Sequence, residues 1–263
     1  MIRVFVSGAS GNVGRAIVRD IPNRRDFSLI GGWCLEAGRD LGELAGTEKN
    51  GVRASGDLEE ALVSLRPDVV IDFSSARVMG ANLSLYLKLG LNAVIGTTGL
   101  TEEEIMRRRA EVKDKGLRWA VIPNYCLGMA LVRDFVRRAR KYYPFVTITD
   151  RHTNEMANAP SGTSAFLALS LAGEKPEIKS IESYPGALGA DICGVPVFSE
   201  RLPLPGPYSE HEIRLARKDE VLTVRLQDHT SEVYLDGIFL AAGRISSLPA
   251  GSFIRDMAEL IDL

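Results

Sequence analysis

The sequence has few of the residues that build metal centres or covalent frameworks. Its three cysteines (Cys34, Cys126, Cys193) and three histidines (His152, His211, His229) stand far apart. Such spacing contains no paired-ligand pattern, so neither a metal site nor a disulfide framework is expected. No stretch is apolar for long enough to suggest a membrane-spanning helix, and no membrane partner is expected. Charge of one sign is also missing: 32 basic residues against 34 acidic ones leave a formal charge of -2. A surface so balanced has no broad field to attract nucleic acid or anionic lipid. The chain opens on a strand-like run at residues 1–6 with no charged-then-apolar leader, which reads as a soluble, cytoplasmic protein.

What is present is an alternation of two periodicities. Residues 2–6 are β-rich and end in a glycine cluster, and helical spacing follows over 13–21, stopping before Pro22. Further β-like runs at 27–33, 69–73, 93–95 and 119–122 alternate with helix-like stretches at 58–65, 78–89 and 101–115. Strand–helix alternation of this kind predicts a parallel sheet covered on both faces. After Pro123-Asn124 the pattern changes. A helix is predicted over 128–142, a strand over 145–150, a helix over 164–171, and β-like runs at 179–183, 210–216 and 221–227. Residues 185–209 are rich in Pro and Gly and read as a long loop. Two closing helices, over 238–245 and 253–261, are expected to pack back on the first domain. The fold class is therefore α/β, an N-terminal Rossmann-type parallel sheet with a second, α+β mixed-sheet domain.

The chemistry begins with Gly8-Ala9-Ser10-Gly11-Asn12-Val13-Gly14, directly between the first strand and the first helix. A dinucleotide pyrophosphate needs bare N–H groups at a helix N-terminus and glycines that let it approach. Gly8, Ser10, Gly11, Asn12 and Val13 are the candidate contacts; the plain alternative is a glycine-rich turn with no ligand. Glu36 lies near the offset at which a carboxylate accepts the ribose hydroxyls, which suits NADH and repels a 2′-phosphate. Arg39 is close enough to offset that repulsion, so NADH is preferred with NADPH admissible. A Rossmann unit does not by itself identify a reaction. Short-chain dehydrogenases are disfavoured, because no tyrosine here is followed four residues on by the lysine they need. The densest polar segment is 150–163, in which Ser161, Gly162 and Thr163 at a helix start can present N–H and hydroxyl groups to a carboxylate. Simple N-capping is the bland alternative. His152 is a candidate proton donor near neutral pH. Cys126 has no histidine near it in sequence and is read as a packing residue.

The order of motifs resembles the dihydrodipicolinate reductase family of lysine biosynthesis, now described as acting on 4-hydroxy-tetrahydrodipicolinate. The matching segments are Gly8 to Arg15, Leu35-Glu36, Asp72-Phe73-Ser74, Gly96-Thr97-Thr98-Gly99, Pro123 to Gly128, Ala159 to Thr163 and Glu210-His211. The resemblance implies a dinucleotide-binding domain of residues 1–125 completed by 236–263, and a substrate-binding and oligomerisation domain of 126–235. It implies a homotetramer built through the second domain's sheets. It also implies that Phe73, Gly96, Thr98 and Asn124 line the nicotinamide, and that Ser161, Gly162 and Thr163 hold a substrate carboxylate.

Departures fall where charge matters most. The family's His-His-x-x-Lys segment reads His152-Thr153-Asn154-Glu155-Met156 here. Thr153 thus occupies a substrate-contact position, and Met156 replaces the lysine held to donate a proton. Glu232 stands where the family tends to carry a substrate-binding arginine, and a Pro-rich insertion occupies 202–207. Three functions are compatible: hydride transfer to the family's cyclic imine, reduction of a different imino or keto acid, or nucleotide binding by a catalytically impaired homologue.

Overall fold

Four strands that lie side by side have the composition of a sheet buried on both sides. In the computed structural model, which describes residues 1–174, 177–204 and 208–261, they are β1 (Ile2–Ser7), β4 (Val69–Asp72), β5 (Ala93–Ile95) and β6 (Trp119–Val121). Every residue of β4, β5 and β6 is buried, the condition of a parallel strand with helices on both faces. With β2 (Phe27–Trp33), β3 (Ala54–Ser55) and β12 (Phe253–Ile254) they form a seven-stranded parallel sheet, ordered β12-β6-β5-β4-β1-β2-β3. The order runs one way from β1 to β3 and the other way from β1 to β6, the doubly wound arrangement whose reversal point lies between β1 and β4.

The helices joining these strands are α1 (Asn12–Asp20), α2 (Leu41–Leu44), α3 (Leu58–Leu65), α4 (Ala76–Leu89) and α5 (Glu102–Asp114). Their starts are set locally: Asp40 and Asp57 cap α2 and α3, and Thr101 and Glu104 form a capping box at α5. Phe5, Val70, Ile95 and Trp119 from the sheet pack with Leu62, Met79, Leu83 and Tyr86 from the helices. The chain divides into two compact units, one of Met1–Leu127 with Tyr234–Asp262 and one of Gly128–Val233. Helix α8 (Leu235–Arg244) belongs to the first.

In the second unit, β7 (Phe145–Thr153), β8 (Ala190–Ile192), β9 (Val195–Leu202), β10 (Ser209–Arg217) and β11 (Glu220–Asp228) form a mixed sheet ordered β11-β10-β7-β9-β8. Only β7 and β9 run parallel among these neighbours. Helices α6 (Leu127–Ala139) and α7 (Gly162–Ser170) cover one face, where Val136, Leu167 and Leu171 pack on Val146, Ile148, Val197, Ile213 and Leu215. The other face carries a charged row, Gln227–Glu210–Arg151–Glu200, in register across four strands.

Three sequence expectations are corrected. No strand forms at 179–183: Glu182 instead accepts from the Gly186 and Leu188 N–H groups at 3.3 and 2.7 Å, folding the segment into a turn. The stretch 185–209 is not one long loop. Its β8–β9 hairpin turns at Cys193 and Gly194, both at positive φ, as a two-residue type I′ connection requires; Cys-Gly is an uncommon pair there, which hid it. The helix expected over 253–261 is the short strand β12 followed by a single 3-10 turn at Met257–Glu259. Phe253 and Ile254 are both buried, and β12 pairs with Trp119 and Ala120. Of the Pro-rich insertion, residues 205–207 lie outside the described residues.

Candidate functional site

At the end of β1 the chain must turn within one residue and leave room for a close approach. Gly8 has φ +82, and a Cβ on it would lie 2.4 Å from the Phe73 carbonyl oxygen; one on Gly14 would lie 2.1 Å from the Gly8 carbonyl oxygen. Gly11 is the N-cap of α1 and supplies no side-chain cap, so the helix start is bare backbone with Asn12 and Val13 in its first turn. This is the construction of an anion cradle. Ser10, in the same loop, hydrogen-bonds the Glu36 carboxylate and holds it below the usual carboxylate range, with Arg15 adding to the effect. Glu36 Oε2 is buried yet has no hydrogen-bond partner among the described residues, an acceptor of the kind a ribose hydroxyl satisfies. The residues therefore fit a dinucleotide.

The remaining candidates of this unit follow the sheet order. Phe73 follows β4, Gly96 and Thr98 follow β5, and Asn124 follows β6, all at the carboxyl ends of neighbouring strands. Phe73 and Gly96 interlock, since a Cβ on Gly96 would lie 2.0 Å from the Phe73 ring. The Phe73 N–H donates to the Ser7 carbonyl at 3.0 Å and the Gly96 N–H to the Asp72 carbonyl at 2.9 Å. Asn124 Oδ1 accepts from the Cys126 N–H at 2.8 Å; Cys126 is buried, as a packing residue is.

The second unit gathers its candidates around Asp150, a wholly buried carboxylate on β7. The strand alternation places Asp150 and His152 on one face. Asp150 Oδ2 accepts from the Ser161 N–H at 2.8 Å and lies 3.5 Å from His152 Nε2. Its Oδ1 lies 3.5 Å from Arg201 Nη1, and Arg201 Nη2 donates to the Asn158 carbonyl at 2.5 Å. Burial would raise the Asp150 carboxyl, but His152, Ser199 and Ser161 outweigh it and hold the group far below its ordinary range. The Ser161 hydroxyl is committed as the N-cap of α7, accepting from the Ser164 N–H at 3.2 Å. The helix start thus exposes the Gly162 backbone, with Thr163 half-buried beside it. His211 is buried with neither ring nitrogen hydrogen-bonded among the described residues, its ring edge-on to His152 at 5.5 Å. Burial, reinforced by His152, pushes its pKa down to about 4.

Thr153 ends β7, and Met156 lies beyond it, 37% exposed, with its N–H donating to the Thr153 carbonyl. Glu232 is exposed in a 3-10 turn at Ser231–Tyr234. Among the described residues no group of His, Cys, Asp and Glu could hold a metal, and no helix is long and apolar enough to cross a membrane.

Sequence reasoning missed Arg201 and gave Asp72 and Asp150 no role. Asp150 was discoverable from its i, i+2 spacing to His152. Arg201 was not, because it sits in the stretch read as loop.

A doubly wound sheet with a glycine cradle at its reversal point, joined in one chain to an α+β unit bearing a buried histidine–carboxylate pair, defines a nicotinamide-dinucleotide-dependent oxidoreductase of two units. Residues 2–125 match the family model described as dihydrodipicolinate reductase, N-terminus, and residues 128–261 the one described as dihydrodipicolinate reductase, C-terminus. The chain belongs to the dihydrodipicolinate reductase family. It is 35% identical over 255 residues to the 4-hydroxy-tetrahydrodipicolinate reductase of Desulfitobacterium hafniense, and 34% identical over 254 residues to that of Moorella thermoacetica, with 94% of each chain covered in both cases. The solved structure of a dipicolinate-bound dihydrodipicolinate reductase from Paenisporosarcina sp. TG-14 shares the fold, with a TM-score of 0.84 at 24% identity over 99% of this chain and 100% of that one.

Proposed function

We propose that the protein transfers a hydride to a conjugated cyclic imine, derived from 4-hydroxy-tetrahydrodipicolinate in the first reading, with NADH preferred over NADPH. The observation that carries this is Asp150, whose Oδ2 accepts from the Ser161 N–H at 2.8 Å and lies 3.5 Å from His152 Nε2. One strand end thereby fixes a protonatable ring beside a helix start that attracts a carboxylate. Gly8, Ser10, Gly11, Asn12 and Val13 would hold the pyrophosphate, Glu36 the ribose, and Phe73, Gly96, Thr98 and Asn124 the nicotinamide. When bound, the reduced nicotinamide supplies a hydride. Gly162 and Thr163 orient the substrate carboxylate with their first-turn backbone and the helix dipole. As hydride adds to the conjugated imine left when the 4-hydroxyl departs as water, the electron pair moves to the ring nitrogen, which takes a proton from His152, and solvent then restores that proton. Thr153 contacts the substrate without adding charge. We place the protein in the cytoplasm as a homotetramer assembled through its mixed sheets; light scattering after gel filtration tests the assembly. Turnover is tested by following NADH oxidation with freshly generated 4-hydroxy-tetrahydrodipicolinate, and an absence of turnover above buffer at high enzyme concentration defeats the first reading.

A second reading has its own support. Thr153, Met156 and Glu232 put no cation at three positions where the family pattern carries a protonatable or basic residue. A less anionic imino or keto acid fits that charge balance. A panel of mono- and dicarboxylic cyclic imines separates the two, since preference for the dicarboxylate excludes this one.

A further inference from the structure

Asp72, the last residue of β4, is wholly buried, and among the described residues every hydrogen-bond partner of its carboxylate is neutral. The two oxygens do different work. Oδ2 faces α4, accepting from Tyr86 Oη at 2.6 Å and Asn82 Nδ2 at 3.1 Å. Oδ1 faces the loops, accepting from the Ser74 N–H at 2.9 Å, Ser74 Oγ at 2.7 Å and Thr97 Oγ1 at 3.0 Å. A buried carboxylate with no cation beside it is costly unless its acceptor sites are filled, so these donors are held in place by the charge they satisfy. The loops they belong to are the two that carry Phe73 and, after β5, Gly96 and Thr98. Phe73 and Gly96 already interlock ring against backbone.

We propose that Asp72 is a positioning residue for the nicotinamide: its Oδ2 is anchored on α4, and through Oδ1 it sets the Phe73–Ser74 turn and the Thr97 hydroxyl, and with them the contacts made by Phe73, Gly96 and Thr98. The inference rests on reading those three residues as nicotinamide contacts. It assigns Thr97 and Tyr86 opposite roles on one carboxylate. Thr97 transmits position to the loop; Tyr86 only supports the fold.

The test compares NADH with ADP-ribose, which keeps the adenosine, pyrophosphate and both riboses but lacks the nicotinamide, by fluorescence or calorimetric titration of the intact protein. For Thr97→Val we expect the Kd for NADH to rise about tenfold while that for ADP-ribose stays within twofold, since small displacements of positioning groups are felt strongly. Thr97→Ser keeps the hydroxyl and should restore NADH binding. Tyr86→Phe should lower Tm with both Kd values within twofold. Asp72→Asn is expected to reproduce the NADH-selective loss, and the Thr97 and Tyr86 variants carry the test if it does not fold. The proposal is overturned if Thr97→Val leaves NADH binding unchanged, or weakens NADH and ADP-ribose equally. Phe73→Ala separates this from the underlying reading: if it does not weaken NADH, the nicotinamide contacts themselves are misassigned and the proposal falls with them.

Discussion

Each unit of this protein buries a strand carboxylate completely, and the two differ in the partners that satisfy them. Asp72 in the nucleotide unit meets hydroxyl, amide and backbone donors. Asp150 in the second unit meets the Ser161 N–H and Ser199, but also an arginine and a histidine. Neutral donors keep one arrangement at any ordinary pH, which suits a unit whose task is to hold a cofactor still. A histidine among the partners adds a group able to give up a proton, which suits the proton delivery proposed for this unit. The contrast predicts that loss of a ring at Asp150 costs chemistry, whereas loss of a donor at Asp72 costs cofactor placement.

The largest expected effect comes from His152. Replacing it by Gln keeps a polar side chain but removes the exchangeable acid. kcat should fall by about 10²–10⁴, the usual range for a lost general acid, while the Kd for NADH stays unchanged. Stopped-flow NADH oxidation together with titration of the cofactor checks both halves. A fall of less than threefold in kcat would mean that water, or another group, supplies the proton.

The next effect is on stability and marks the substrate unit as the pH-sensitive one. His211 has its pKa lowered by burial to about 4 from the ordinary histidine value of 6.5, so the folded chain binds fewer protons than the unfolded chain between those values. Stability is therefore full above about pH 6.5 and falls as pH drops toward 4. Between pH 7 and pH 5 the shift corresponds to a loss of roughly 2 kcal/mol, an order-of-magnitude figure. His211→Gln should flatten that part of the profile, as measured by urea unfolding at a series of pH values. Glu210 acts in the same direction but lower down. Burial opposes its charge, yet Arg225, Tyr208, Arg151 and Gln227 hold its pKa at about 2, so its contribution is present above the ordinary glutamate range and is lost only as pH falls toward 2.

The same contrast explains what the sequence disclosed. The candidate residues of the first unit carry local marks: Gly8 to Gly14 sits between one strand and the next helix, and each later candidate sits just past a buried apolar run. In the substrate unit only His152 and the 161–163 turn had local marks. Arg201 reaches Asp150 from a strand 51 residues away, through a hairpin whose Cys193-Gly194 turn lacks the usual residues. The pairing of β12 with β6 is likewise a long-range fact, since the buried pair Phe253-Ile254 is too short to distinguish strand from helix by period.

The smallest effect sharpens the comparison most, because it asks whether the substrate unit has drifted from its family's substrate. Met156 is 37% exposed, so a lysine there can lay its stem where the methionine lies and keep its ammonium in water at little cost to stability. It would restore a cation and a donor at the position where the family pattern places one. If the protein acts on the dicarboxylic imine with reduced efficiency, Met156→Lys should raise kcat/KM for it about tenfold, a fraction of what a well-placed acid can contribute. Thr153→His in the same chain should add to the gain. If the natural substrate is less anionic, Met156→Lys should improve the dicarboxylate and leave the preferred monocarboxylate no better. The ratio of the two kcat/KM values, measured in both variants, therefore distinguishes a slow member of the family from one whose charge balance has been reset for another imine.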